Sequence, residues 1–370
     1  MNKNKLVIFM PSIEGGGVEK NLFIISNYLS KKIKGISLIT ASKECNNKFK
    51  GIKIINPQLN FGSSRKSKYY SCFLELFKLL LKKEKFVVFA FQANLYCIII
   101  CKIFRTRIVI RSNSSPSGWS KNYLKSLIFE KLLKLSDKII VNSIDFKKEL
   151  KKKFNVNSEC IYNPLNKNEI IKKSKPIIKF NFFKKGKKKL LKIINIGRIV
   201  DQKDQITLLK SLNILKKENR LHFKALIMGR GSNKKFLDQY IKANNLQNCV
   251  KIIDFQINPY PYLHNSDLFI LTSKFEGLPN VLLEAISLKK FVISTNCPTG
   301  PREILNNGKG GILFKISDYE QLSEKIKEFC ANRSKYNKKI IYAYKQLERF
   351  DLGKNLKKYE TIVNNQLLKK

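Results

Sequence analysis

Ten short runs rich in β-branched and aromatic residues recur along the chain, and amphipathic stretches alternate with them. In the first half the runs are residues 5–10, 36–40, 86–91, 107–111 and 138–142; in the second they are 192–198, 222–231, 250–254, 267–272 and 291–295. Helical patterns lie between them, as in VEKNLFIISNYLSKK over 18–32. A strand followed by a helix and another strand implies parallel pairing through crossovers, so each series predicts an α/β doubly wound sheet. A chain of 370 residues is more than one core of ordinary size uses. The expectation is two tandem Rossmann-like domains facing a cleft, with ligands beyond the carboxyl ends of the strands.

The expected bounds follow from composition. Residues 1–165 form the first domain, closed by the Asn-Pro turn of IYNPLNK (161–167). Residues 166–190, dense in lysine, read as a linker and surface element. Residues 191–350 form the second domain. From about Asp318 the pattern is helical to the end, and 351–370 is expected as a C-terminal helix packing back on the first domain.

The formal net charge of +46 invites a nucleic-acid or membrane reading. Residues 1–180 hold 36 Lys and Arg against 11 Asp and Glu, and residues 181–370 hold 37 against 16, so the excess is spread along the whole chain. Basic residues and aromatics do not interleave in a nucleic-acid-binding module, and no nucleic-acid partner is expected. A solvated lysine-rich surface and a surface that also rests on anionic lipid both remain open. The eight cysteines include no CxxC pair, and the two histidines, His222 and His264, lie far from Cys97 and Cys101. Reduced thiols in a cytoplasmic protein, with no metal site, are expected. The longest uncharged stretch, FVVFAFQANLYCIIIC (86–101), is short for a span and contains Gln92 and Asn94. It reads as a buried strand followed by a helix over 94–104, which makes any membrane contact peripheral.

The most informative stretch is FEGLPNVLLEAISL, residues 275–288, with Glu276 and Glu284 on either side of a Gly-Leu-Pro-Asn turn. The strand over 267–272 runs into the loop holding Glu276. Pro279 suits the first turn of the helix that follows, and Glu284 lies about one and a half turns inside it. Between the carboxylates stand the amides of Asn280, Val281 and Leu282, at the positive end of the helix dipole. A phosphate flanked by hydroxyl-rich groups would use both the amides and the carboxylates, as a nucleotide sugar does. An ordinary strand-loop-helix unit with a surface glutamate is the competing explanation. INIGRIVDQKD (194–204) puts Gly197 and Arg198 after a neighbouring strand, with Lys203 five residues past Arg198. These cations could neutralise a diphosphate leaving group, or be two surface charges in a lysine-rich chain. IEGGGVEK (13–20) adds a glycine-rich turn around Gly16 and Gly17, where backbone can approach a ligand closely. Neither a G-x-G-x-x-G nor a Walker pattern is present. Gly229-Arg230-Gly231 reads as a strand-to-helix turn.

GGGVEK, the turn at 162–164, GRIVDQKD, FEGLPNVLLEAISL and ISTNCPTGPREIL (293–305) together resemble glycosyltransferase family 4, of GT-B architecture, over nearly the whole chain. PTGPREIL is similar to bacterial enzymes of cell-surface polysaccharide and lipid-linked oligosaccharide synthesis. The resemblance implies retaining transfer from a nucleotide sugar without an essential metal; a UDP-linked donor and no cofactor are expected. It implies that Arg198 and Lys203 bind the donor diphosphate, Glu276 contacts the sugar hydroxyls and Glu284 holds the ribose diol. Gly197, Gly277, Leu278, Pro279, Asn280, Val281 and Leu282 would line the sugar and phosphates. Gly16 and Gly17 would close over the phosphates, and Phe255 or Gln256 would line the base pocket. Many members of the family it resembles carry a histidine in the first domain near the reacting sugar; here no histidine precedes His222, and Asn113, in RSNSSPSGW (111–119), takes a polar positioning role or caps its loop. The acceptor is expected to be a glycan or a lipid-linked one, read by loops 48–68 and 112–121. The protein would act in the cytoplasm, at the inner face of the plasma membrane. A GT-B enzyme with a soluble acceptor, and a non-catalytic polyanion binder, are the alternatives.

Overall fold

The computed structural model describes every residue except 1–4, 60, 63, 83, 114–118, 120, 121, 178, 179, 184–189, 220 and 370, and at 123 and 181 it describes the backbone alone. Parts of the acceptor loops and of the lysine-rich 166–190 segment therefore lie outside the described residues. The chain divides into two units: Met1–Pro164 with Phe350–Lys370, and Leu165–Arg349.

The first unit runs β1 (Lys5–Phe9), α1 (Gly17–Leu29), β2 (Ile36–Ile39), β3 (Lys53–Ile55), α2 (Arg65–Leu81), β4 (Phe86–Ala90), α3 (Asn94–Ile103), β5 (Arg107–Ser112), α4 (Tyr123–Lys134), β6 (Lys138–Val141), α5 (Ile144–Phe154) and β7 (Glu159–Cys160). The second runs α6 (Lys167–Ser174), β8 (Leu191–Ile196), α7 (Gln205–Glu218), β9 (Phe223–Met228), α8 (Lys234–Ala243), β10 (Val250–Ile253), α9 (Tyr260–His264), β11 (Leu268–Leu271), α10 (Asn280–Ser287), β12 (Phe291–Thr295), α11 (Pro301–Ile304), β13 (Ile312–Phe314), α12 (Tyr319–Ala331) and α13 (Asn337–Gln346). The last helix, α14 (Leu352–Leu368), belongs to the first unit.

The first sheet has the order β3-β2-β1-β4-β5-β6-β7 and the second β10-β9-β8-β11-β12-β13. All their pairings are parallel. Both are doubly wound. Their strands are near-continuous apolar runs because both faces are covered: β4 and β12 are buried at every position. In the first unit, α1 and α14 pack on one face, where Leu22, Ile25, Tyr359 and Val363 meet Leu6, Ile8 and Phe89. Helices α2 to α5 pack on the other, through Cys72, Leu76, Ile98, Leu133 and Phe146. In the second unit Leu208, Leu212, Leu237 and Leu322 close one side of the sheet.

Three short strands, β3, β7 and β13, join the ten sequence-predicted ones. The tail beyond Asp318 is three α-helices separated by 3₁₀ turns at Arg333–Tyr336 and Leu347–Phe350 rather than one continuous helix. The 166–190 segment contributes a two-turn helix, α6, capped by the Asn166 side chain.

Candidate functional site

In each sheet the strand order reverses at one point, between β1 and β4 in the first and between β8 and β11 in the second. Loops leaving the carboxyl ends of two such strands diverge to opposite faces and leave a crevice. Three of the motifs singled out in the sequence leave those strands: the glycine-rich turn after β1, the segment with Arg198 and Lys203 after β8, and the loop with Glu276 after β11.

In the second unit the loop after β8 and the loop after β11 are sewn together. Lys203 Nζ pairs with Glu276 Oε1, both largely buried, with side chains 15% and 8% exposed. The Lys203 stem lies 3.6 Å from where a Cβ on Gly197 would be. Thr272 Oγ1 donates to the Lys203 carbonyl at 2.7 Å, Gln202 Nε2 to the Phe275 carbonyl at 2.9 Å, and Lys274 N to the Gln202 carbonyl at 2.9 Å. Glu276 is held further: Ser273 Oγ donates to its Oε1 at 2.6 Å, and Thr299 Oγ1 donates to its carbonyl at 2.5 Å. Its negative charge, after burial itself, helps push the Cys297 thiol up to about 12. Arg198 is exposed, with its Nη2 donating to Gln202 Oε1 at 3.2 Å.

Two glycines outside the predicted set let these loops approach. A Cβ on Gly300, which has φ +83°, would sit 2.3 Å from the Gly277 carbonyl oxygen. A Cβ on Gly229 would sit 1.9 Å from the Gly197 carbonyl oxygen. The Gly-Arg-Gly turn is therefore part of the loop stack: Ile199 N donates to the Arg230 carbonyl at 2.9 Å.

Glu284 lies on α10 with 8% exposure, and Tyr260 Oη, at the start of α9, donates to its Oε1 at 3.4 Å. Pro279 caps α10 from an extended conformation. The amide of Leu282, expected as a free anion donor, is used by the first turn and donates to the Pro279 carbonyl at 3.1 Å. Gly277, Leu278 and Pro279 are buried, while Asn280 and Val281 are half-buried. Phe255 and Gln256 follow β10, two strands from the switch point. Phe255 is half-exposed beneath the Arg230 guanidinium, 5.5 Å from ring centre, and Gln256 Nε2 donates to the Asp254 carbonyl at 3.2 Å.

In the first unit Gly16 caps α1 and Gly17 begins it, both exposed after β1. Gly16 N donates to Glu19 Oε2 at 2.9 Å. The turn is anchored across the switch point, where Ser12 N donates to Gln92 Oε1 at 3.1 Å and Gln92 Nε2 returns to the Ser12 carbonyl at 2.9 Å. Asn113 follows β5, and its Oδ1 accepts from Arg111 Nη1. Arg111 is fully buried. Its Nε donates to Tyr359 Oη at 2.8 Å and its Nη2 to Asn163 Oδ1 at 2.7 Å. Asn113 thus helps satisfy a buried guanidinium, a task that sequence spacing does not reveal. Among the described residues no group of three or more His, Cys, Asp or Glu is placed to hold a metal ion.

Residues 177–346 match the family model described as Glycosyl transferases group 1. A glycosyltransferase of Methanocaldococcus jannaschii is 35% identical over 227 residues, covering 56% of this chain and 53% of that protein. The N-acetylgalactosamine-N,N'-diacetylbacillosaminyl-diphospho-undecaprenol 4-alpha-N-acetylgalactosaminyltransferase of Campylobacter jejuni is 27% identical over 379 residues, covering 96% of this chain and 99% of that protein. The match thus spans about half of the archaeal relative and nearly all of the Campylobacter one. Among solved structures, HepE of Anabaena in complex with UDP has a TM-score of 0.77 at 16% identity, covering 98% of this chain and 100% of that one. Sucrose-phosphate synthase of Thermosynechococcus elongatus has a TM-score of 0.79 at 13% identity, covering 98% and 99%. The likeness to the group 1 glycosyltransferase model thus falls within the second unit, and the two parallel-sheet units match the GT-B fold.

Proposed function

We propose that the protein moves a sugar, with retention and without a metal, from a UDP-linked donor to a lipid-linked glycan during cell-surface polysaccharide assembly. The observation that carries the reading is the buried Lys203–Glu276 pair at the second sheet's switch point, with Glu284 on the helix that follows. A lysine and a carboxylate held together at the mouth of a parallel sheet suit a donor with diphosphate at one end and hydroxyls at the other. Lys203 and Arg198 take the charge that grows on the departing diphosphate. Glu276 accepts from hydroxyls of the transferred sugar, and Glu284 from the ribose diol. The C1–O bond to phosphate breaks and a C1–O bond to the acceptor forms on the same face. The acceptor hydroxyl's proton passes to the leaving phosphate oxygen, so the protein supplies position and charge. The undecaprenol-linked substrate in the Campylobacter relative's name supports the lipid-linked acceptor, and such an acceptor sets the work at the inner face of the plasma membrane.

Calorimetric titration of wild type and Glu284→Ala with UDP, GDP and ADP tests the donor side. Selective binding of UDP, lost in the variant, is expected. Binding that ignores the base, ignores the substitution and disappears with salt would overturn the reading in favour of polyanion binding.

A further inference from the structure

The two faces of the first unit differ in what they present to solvent. Among the described residues, α2 to α5 leave ten large apolar side chains exposed, while α1 and α14 together leave one, Leu368. The clearest case is α3, NLYCIIICKI. Its inner side is apolar, with Cys97, Ile98 and Cys101 fully buried. Its outer side is apolar too: Tyr96, Ile99 and Ile103 are 62%, 39% and 70% exposed. A surface helix that closes a core on one side should be polar on the other. On the neighbouring α4, Leu124 and Ile128 are 68% and 54% exposed. Phe73 of α2 touches Tyr96 edge-on, with ring centres 5.9 Å apart, so the stripes adjoin. Large contiguous apolar surface of this kind marks an interaction site. It is set in positive charge. Helices α2 to α5 carry 13 Lys and Arg against 4 Asp and Glu, and on α5 Lys147, Lys148, Lys151 and Lys152 all face solvent.

We propose that the α2–α5 face of the first unit docks on an anionic lipid surface, with the α3–α4 stripe entering the headgroup layer and the lysines meeting lipid phosphate. Apolar burial with a basic surround is the pattern of an interfacial element. Among the described residues no helix is long and apolar enough to cross a membrane, so docking would be in-plane. Tyr96 lies near the N-terminal end of α3, which starts just past the carboxyl end of β4, and Leu124 lies near the N-terminal end of the neighbouring α4. Docking there brings the switch-point edge of this unit to the lipid surface. The inference deepens the lipid-linked acceptor reading but does not use the donor site.

The test is flotation of the full chain with vesicles of phosphatidylcholine alone or with about 30 mol% phosphatidylglycerol, at about 0.15 M and at about 1 M salt. The variants are Tyr96→Ser/Ile99→Ser/Ile103→Ser on α3 and, independently, Leu124→Ser/Ile128→Ser on α4. Emission of Trp119, the single tryptophan, checks that this unit is folded. Wild type is expected to float with the anionic vesicles, and either variant to lose about tenfold or more in partitioning at unchanged charge. Equal binding by all three proteins that vanishes at high salt would overturn the proposal, leaving net charge alone. Loss of a dimer in the variants, with vesicle binding unchanged, would overturn it in favour of a second copy. Should the α3 variant not fold, the α4 variant decides between the same outcomes. UDP titration of the same samples keeps the result separate from the donor reading.

Discussion

Lys203 and Glu276, 73 positions apart in the chain, form a buried ion pair that closes the loop after β8 onto the loop after β11. The pair brings one of the two cations and one of the two carboxylates singled out in the sequence into one place. It also means that each keeps the other in position before any donor binds.

Lys203→Met should lower kcat by about 10²–10³-fold, the cost of losing one preformed charge donor, and raise the donor KM much less. Leaving-group charge grows only in the transition state, so turnover should suffer more than binding. Steady-state kinetics with UDP-sugar checks this. A rise in KM at unchanged kcat would remove Lys203 from the chemical step.

Glu284 is positioned by α10 and touched by Tyr260, and its proposed partner is the ribose diol. Glu284→Gln should weaken UDP binding by about 1.5–3 kcal/mol, the worth of a hydrogen bond to a charged group. Removing the ribose hydroxyl should cost wild type a similar amount and the variant almost nothing. Calorimetry with UDP and 2′-deoxy-UDP on both proteins gives the coupling. Additive losses would place Glu284 away from the ribose.

Gly300 and Gly308 separate two effects of a glycine. Both have left-handed backbone, with φ +83° and +88°, but a Cβ meets the Gly277 carbonyl at 2.3 Å only from Gly300; from Gly308 the nearest atom is 4.0 Å away. Gly308→Ala should cost stability by about 1–2 kcal/mol of backbone strain with donor affinity intact. Gly300→Ala should also displace the Glu276 loop, and UDP affinity should fall. Melting curves and titration of both variants check the contrast. Equal affinities would show that the Gly277 loop yields without harm to the site.

The doubly wound sheets were legible because parallel strands buried on both faces read as dense apolar runs between helical stretches. The three strands that escaped, β3, β7 and β13, hold three, two and three residues at sheet edges. No periodicity can be read over so few positions. On the site, chemistry-bearing residues at strand ends stood out by type. What supports them did not: Thr272, Ser273 and Thr299 act through a hydroxyl aimed at a loop, and Gly229 and Gly300 act through backbone proximity. Asn113 is the extreme case, since its partner Arg111 is set by Tyr359, 248 positions further on. Helix α10 stops at Ser287, with Lys289 left-handed at φ 54°.

The return of α14 to the first unit has a pH signature. Tyr28 of α1 donates to Glu360 of α14 at 2.7 Å. That hydrogen bond, and then the neighbouring Lys357, hold the Glu360 carboxyl below the usual carboxylate range. A carboxyl whose folded pKa is depressed contributes stability that is complete above its unfolded value, about 4.3, and is lost as pH falls through the lower folded value. The first unit should therefore lose stability more steeply below about pH 5 in wild type than in Glu360→Gln. At pH 7 the variant should be the weaker, and the gap should narrow toward pH 3. Urea midpoints followed by Trp119 emission read this unit alone, because no other tryptophan exists in the chain. Parallel pH profiles for the two proteins would mean that the Tyr28–Glu360 bond contributes nothing to holding α14 on the sheet.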